Sequence, residues 1–147
     1  MIKNIGIVLN PTAGRGKAGR IFTQVLSMLH EVGIKTLVEI TEFPGHGANL
    51  AAGLARKGVD AVVSAGGDGT VNEVLNGLAN LDFPVPMGAL GIGTGNDFLK
   101  SAGTAKDLLK QVEVIKQGNI KLLDLMRITY CDFGGKTAVR YSINDFG

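Results

Sequence analysis

The sequence is short of cysteine, of net charge and of long hydrophobic runs. Its one thiol, Cys131, has no partner within the chain, so an internal disulfide is excluded and an oxidising compartment is not implied. A formal net charge of +2 is too small to mark a nucleic-acid binder, which needs a strongly basic face. It remains compatible with a mild attraction to phosphates or to an anionic membrane. No apolar run approaches the ~20 residues of a membrane-spanning helix. The opening Met1-Ile2-Lys3-Asn4 lacks the basic-then-apolar layout of a signal peptide. These absences predict a cytoplasmic protein without a transmembrane segment, able to work peripherally at a membrane surface.

What is present is glycine. There are 22, most of them in short clusters between apolar runs, where they mark tight turns or close approach of backbone to a ligand. With 45% hydrophobic residues against 19% charged, the chain can build a globular core. The apolar pattern alternates between strand and helix. Ile5, Ile7, Val8 and Leu9 read as a buried strand stopped at Pro11, and Lys17 to Glu31 reads as a helix closed by Gly33. Thr36–Thr41, Asp60–Ala65 and Pro86–Leu90 read as further strands. Ala48–Lys57, Thr70–Asn80, a short segment from Asn96 and Thr104–Gln117 read as helices. Such alternation predicts an α/β fold, a doubly wound, mostly parallel sheet with helices on both faces. From Lys121 the pattern changes. Lys121–Tyr130 and Thr137–Ile143 read as strands joined by a turn at Asp132-Phe133-Gly134-Gly135. The expected division is a nucleotide-binding domain over 1–125 and the start of a β-rich second domain over 126–147.

Three polar, glycine-rich turns each follow a strand and precede a helix: Asn10-Pro11-Thr12-Ala13-Gly14-Arg15-Gly16, Gly66 to Glu73, and Gly91 to Phe98. In a parallel sheet such turns share the C-terminal edge, where ligands bind, and helix N-termini there favour anions. Three together point to a nucleotide polyphosphate. In the middle turn, Gly66-Gly67-Asp68-Gly69-Thr70-Val71-Asn72-Glu73, glycines allow close approach to phosphate. The carboxylate of Asp68 makes sense there if Mg²⁺ bridges it to the phosphates, although Asp68 as a plain helix cap is the alternative.

At these residues the chain resembles a known group. Gly66-Gly67-Asp68-Gly69-Thr70 is similar to the signature shared by diacylglycerol kinases, sphingosine kinases, NAD kinases and phosphofructokinases. Gly93-Thr94-Gly95-Asn96-Asp97-Phe98 and Asn10-Pro11-x-Ala13-Gly14 resemble the diacylglycerol kinase branch in particular. That resemblance implies a phosphofructokinase-like and NAD-kinase-like fold, ATP with Mg²⁺, and transfer of the γ-phosphoryl group to a lipid hydroxyl at the membrane surface. It implies that Asn10, Pro11, Thr12, Ala13, Gly14, Thr41, Gly66 to Glu73 and Thr94 contact the nucleotide, with Asp68 as the principal catalytic residue. It further implies a metal path through Asp68, Asp97 and Asp124; the plain alternative is a capping Asp97 and a solvated Asp124. Family members continue into a β-sandwich domain, and the resemblance implies that the general base and the principal lipid pocket lie partly or wholly there. Residues 1–147 alone are therefore expected to be inactive, with a homodimer open as a partner.

Other patterns carry less. Gly14-x-Gly16-x-x-Gly19 fits a dinucleotide fingerprint, but the Asn-Pro turn separates it from the strand and leaves the other two turns without a role. Ala18 occupies the place of the hydroxyl a Walker loop requires. His46 reads as a turn residue, His30 as a helix-end residue, and Arg15, Lys17 and Arg20 as a solvated face. The competing functions are a small-molecule kinase of the NAD kinase type and a non-catalytic nucleotide-binding module.

Overall fold

Every residue from Ile5 to Leu9 of the first strand, β1 (Asn4–Leu9), is buried, because a strand between two others and covered on both faces has no solvent side. The computed structural model describes residues 1–93, 95–101 and 107–143. The elements that follow are α1 (Lys17–Glu31), β2 (Lys35–Ile40), α2 (His46–Arg56), β3 (Ala61–Gly66), α3 (Asp68–Ala79) and β4 (Met87–Gly91). After them come α4 (Asp97–Ser101), α5 (Leu108–Gln117), β5 (Met126–Cys131) and β6 (Thr137–Ser142). Strands β1 to β4 form one parallel sheet in the order β2-β1-β3-β4, and β5 and β6 form an antiparallel hairpin of their own.

The alternation of side chains along β1 sorts the core into two layers. Ile5, Ile7 and Leu9, with Val63 and Leu90, pack against Phe22, Val25 and Leu29 of α1 and Val112 and Ile115 of α5. Val8 and Val62 face the other way, onto Leu54 of α2 and Val74 of α3. Each fully buried aliphatic side chain of this kind contributes about 1.5–3 kcal/mol. At Gly6 the backbones come unusually close: a Cβ there would lie 2.8 Å from the Leu54 Cβ, so only glycine lets α2 sit this deep on β1. Since β1 feeds α1 on one face and β3 feeds α3 on the other, the strand order reverses direction between β1 and β3. A crevice opens at such a switch point, outside the C-terminal strand ends.

Several boundaries differ from the sequence reading. Helix α3 begins at Asp68, two residues before the expected Thr70, and α2 begins at His46, not Ala48. Helix α5 begins at Leu108, where the Asp107 side chain accepts from the Leu109 N–H at 3.0 Å and caps it; the expected start at Thr104 lies outside the described residues. The larger correction concerns Lys121–Tyr130. Lys121 to Leu125 form no strand and are exposed, and pairing begins only at Met126. The register explains it: Met126 lies opposite Ser142, where β6 ends, leaving no partner for the residues before it. Asp124 is therefore an exposed carboxylate in a segment without strand pairing.

Candidate functional site

Main-chain bonds beyond the strand ends hold the glycine turns at one edge of the sheet. Asn10 N–H donates to the Ala65 carbonyl at 2.9 Å, Thr41 N–H to Leu9 at 2.9 Å, and Gly93 N–H to Gly66 at 3.0 Å. Each turn then touches the next. A Cβ on Gly66 would meet the Asn10 Cβ at 3.3 Å, joining the first and middle turns. One on Gly14 would lie 2.8 Å from the Ile92 carbonyl oxygen, joining the first and third. One on Gly93 would run into the Gly67 Cα, joining the middle and third.

The first turn is shaped by Asn10. Its Oδ1 accepts from the Thr12 N–H at 3.2 Å and the Thr12 hydroxyl at 2.8 Å, folding Pro11 and Thr12 back over the strand end. The chain then passes through three left-handed residues, Gly14, Arg15 and Gly16, before α1 starts. In the third turn, left-handed Asn96 donates from Nδ2 to the Gly91 and Gly93 carbonyls at 3.2 and 2.9 Å. From below, buried Gln111 of α5 accepts the Gly91 N–H at 3.0 Å. Thr94 lies outside the described residues.

The glycines of the middle turn fall into two kinds. Gly66 is required by packing, since a Cβ would strike the Thr70 side chain. Gly67 and Gly69 are not: a Cβ on Gly67 finds nothing closer than 3.7 Å, one on Gly69 finds nothing within 4 Å, and neither residue has a left-handed φ. Their missing side chains leave open space in front of the α3 N-terminus. The first N–H groups of a helix lack intrahelical acceptors, and those of Asp68, Gly69 and Thr70 find none elsewhere among the described residues. That is an arrangement suited to an anion.

The remaining site residues divide. Asp68 spans two turns, accepting the Phe98 N–H weakly at 3.4 Å through Oδ1, while Oδ2 lies 2.7 Å from where a Gly95 Cβ would be. Thr70 and Val71 are buried, Val71 against Ala89 and Leu99. Glu73 is turned toward α2, its two oxygens accepting the Gly45 and Gly47 N–H groups at 2.8 and 2.9 Å. Helix α2 has no acidic residue in its own first turn, so Glu73 supplies the negative charge its N-terminus favours. Asp97 is exposed and pairs with Lys100 at 2.9 Å. Among the described residues no three His, Cys, Asp or Glu side chains group closely enough to hold a metal ion, and no helix is long and apolar enough to cross a membrane. The sequence reading passed over Gln111, a polar residue at an inward helical position, and the spacing of Asn72, Asn76 and Asn80, which lines one face of α3.

Taken together, fold and site define a doubly wound parallel α/β domain with its phosphate-type turns gathered at the switch point. Residues 4–128 match the diacylglycerol kinase catalytic domain, and the chain belongs to that family. It is 34% identical over 128 residues to a diacylglycerol kinase of Bacillus subtilis, covering 86% of this chain and 42% of the relative. It is 33% identical over 144 residues to one of Staphylococcus saprophyticus, covering 98% of this chain and 44% of the relative. A solved diacylglycerol kinase structure from Bacillus anthracis strain Sterne superposes with a TM-score of 0.72 at 29% identity, over 84% of this chain and 44% of that one. The chain thus spans less than half the length of the relatives it matches.

Proposed function

We propose that this chain is the ATP-binding part of a kinase that phosphorylates a lipid hydroxyl. The observation that carries the reading is the open space before the α3 N-terminus at Gly67 and Gly69, which packing does not require. In this reading the N–H groups of the middle turn hold the phosphates, Asn10 to Gly14 and Thr41 flank the nucleotide, and Thr94 closes over it. Glu73 acts indirectly, by fixing the loop that leads into α2.

The transfer forms a bond between the acceptor oxygen and the γ-phosphorus, breaks the bond from that phosphorus to the β–γ bridging oxygen, and releases ADP. The hydroxyl proton must pass to a base. Mg²⁺, when bound, would neutralise charge on the phosphates. Such a cation needs only one or two carboxylates beside phosphate and water oxygens, and Asp68, with Oδ2 toward the third turn, fits that donor set. Asp97 and Asp124 would reach the cation only through water. Among the described residues no carboxylate or histidine outside the turns is placed as the base, and residues 1–147 alone are read as binding ATP without phosphorylating lipid. The hairpin from 126 onward is read as the first element of a second unit, and the lipid as binding between that unit and the sheet edge.

Titration calorimetry with ATP tests the reading. Gly67→Val should fold as the parent does and lose ATP binding, because its side chain would occupy the phosphate's place. Unchanged affinity in that variant defeats the assignment.

A further inference from the structure

Strand β2 forms one side of the sheet and pairs, among the described residues, with β1 alone. The Lys35 N–H donates to Lys3 at 2.8 Å and the Thr41 N–H to Leu9 at 2.9 Å. Main-chain groups alternate sides along a strand, so those of Lys35, Leu37 and Glu39 face β1. Those of Thr36, Val38 and Ile40 point outward and meet no hydrogen-bond partner among the described residues. An open edge of this kind is a template for another strand. Its side chains are unfinished as well. Leu37, opposite Gly6 on the α2 side of the sheet, is 40% exposed. On the same face the Lys35 ammonium has no ion-pair partner among the described residues. Glu39 gives Oε1 to Lys57 at 2.9 Å and leaves Oε2 without a partner among the described residues.

These features specify the strand that fits. Antiparallel pairing sets outward-bonding residues opposite one another, so a second copy of β2 can slide only in steps of two residues. Centred on Leu37, Thr36 and Val38 exchange both main-chain bonds with Val38 and Thr36 of the second copy. Leu37 then lies against its own counterpart, and each Lys35 lies opposite a Glu39. A slide of one step either way sets Leu37 opposite Lys35 or Glu39 instead. Charges on an edge generally repel a further strand. Here they admit one register and penalise its neighbours. We propose that β2 is the interface of a twofold homodimer, antiparallel and centred on Leu37, which joins two four-stranded sheets into one. The glycine turns lie beyond the strand ends and not along this edge, so each copy keeps its crevice open.

Charge reversal reads the register. Sedimentation equilibrium should show a concentration-dependent dimer for wild type. Lys35→Glu and Glu39→Lys should each weaken it by at least about tenfold, because each sets like charges opposite one another on both sides of the twofold axis. Mixed in equal amounts, the two variants should associate again, since each supplies the charge that the other's edge lacks. Recovery in the mixture also shows that both variants are folded. In a Cys131→Ser background, which removes the exposed native thiol, Leu37→Cys should give a disulfide-linked dimer on mild oxidation. Opposed residues of a non-hydrogen-bonded pair lie about 4.5 Å apart at Cα, within disulfide reach. A wild type that stays monomeric at every concentration overturns the proposal. So does a dimer unchanged by both reversals, a mixture no tighter than its components, or a Leu37→Cys chain that stays unlinked.

Discussion

Asn76 of α3 holds the main chain of Tyr141 with both ends of its amide: Nδ2 donates to the Tyr141 carbonyl and Oδ1 accepts the Tyr141 N–H, each at 2.8 Å. A side chain here completes the hydrogen-bonding edge of β6 as a neighbouring strand would. It is how the hairpin docks on the sheet domain. Asn76→Leu should undock it at a cost of about 1–3 kcal/mol, since both Tyr141 groups lose their partner. Hydrogen exchange should quicken in β5 and β6 while β1 and β3 stay protected; equal protection in the variant would show that the hairpin is held elsewhere.

Gly67 and Gly93 touch, yet they should respond oppositely to alanine. At Gly93 a Cβ collides with the Gly67 Cα, so Gly93→Ala should lower the melting temperature. At Gly67 the nearest atom is 3.7 Å away, so Gly67→Ala should melt as wild type does and bind ATP more weakly. A shared stability loss would mean that both glycines serve packing alone.

Asp68→Asn separates metal from nucleotide. ATP affinity of the parent should rise with Mg²⁺, and that gain should vanish in the variant, because the amide keeps the shape but not the charge. Without Mg²⁺, the variant should bind ATP at least as tightly, since a carboxylate facing phosphates is removed. An undiminished Mg²⁺ effect would take Asp68 out of the metal's surroundings.

At the opposite edge of the sheet, Asp60 ties down the start of β1. Its Oδ2 accepts the Lys3 and Asn4 N–H groups at 2.8 and 2.9 Å, and these bonds, Lys3 first, hold its carboxyl below the ordinary 3.8. A depressed value means the folded state keeps the proton off more strongly than the unfolded chain. The contribution is full above 3.8 and is lost as pH falls through the lower folded value. Denaturant midpoints taken down this acid limb should fall less steeply for Asp60→Asn than for wild type. Parallel curves would show that these bonds carry no pH-dependent stability.

Ser64, on central β3, is fully buried with a hydroxyl that meets no partner among the described residues. Ser64→Ala should leave the fold intact and raise stability by about 1 kcal/mol, read from denaturant unfolding. A loss of stability would reveal a bond for that hydroxyl.

The sequence by itself determined the parallel sheet, its helices and the three turns. These rest on local periodicity and on glycine's backbone freedom, which need no knowledge of distant residues. It could not mark where pairing stops. Lys121–Leu125 has the composition of a strand, but a strand exists only opposite a partner, and the register of β6 ends at Met126. The role of a polar side chain was equally out of reach. Glu73 stands in a phosphate-type motif, yet its oxygens go to Gly45 and Gly47, 28 and 26 residues earlier, because α3 packs beside an α2 that lacks an acid of its own. Likewise only tertiary packing separates Gly66 and Gly93, which neighbouring atoms require, from Gly67 and Gly69, whose space stays open. A glycine reads the same in sequence whether a protein atom or a ligand lies where its side chain would be.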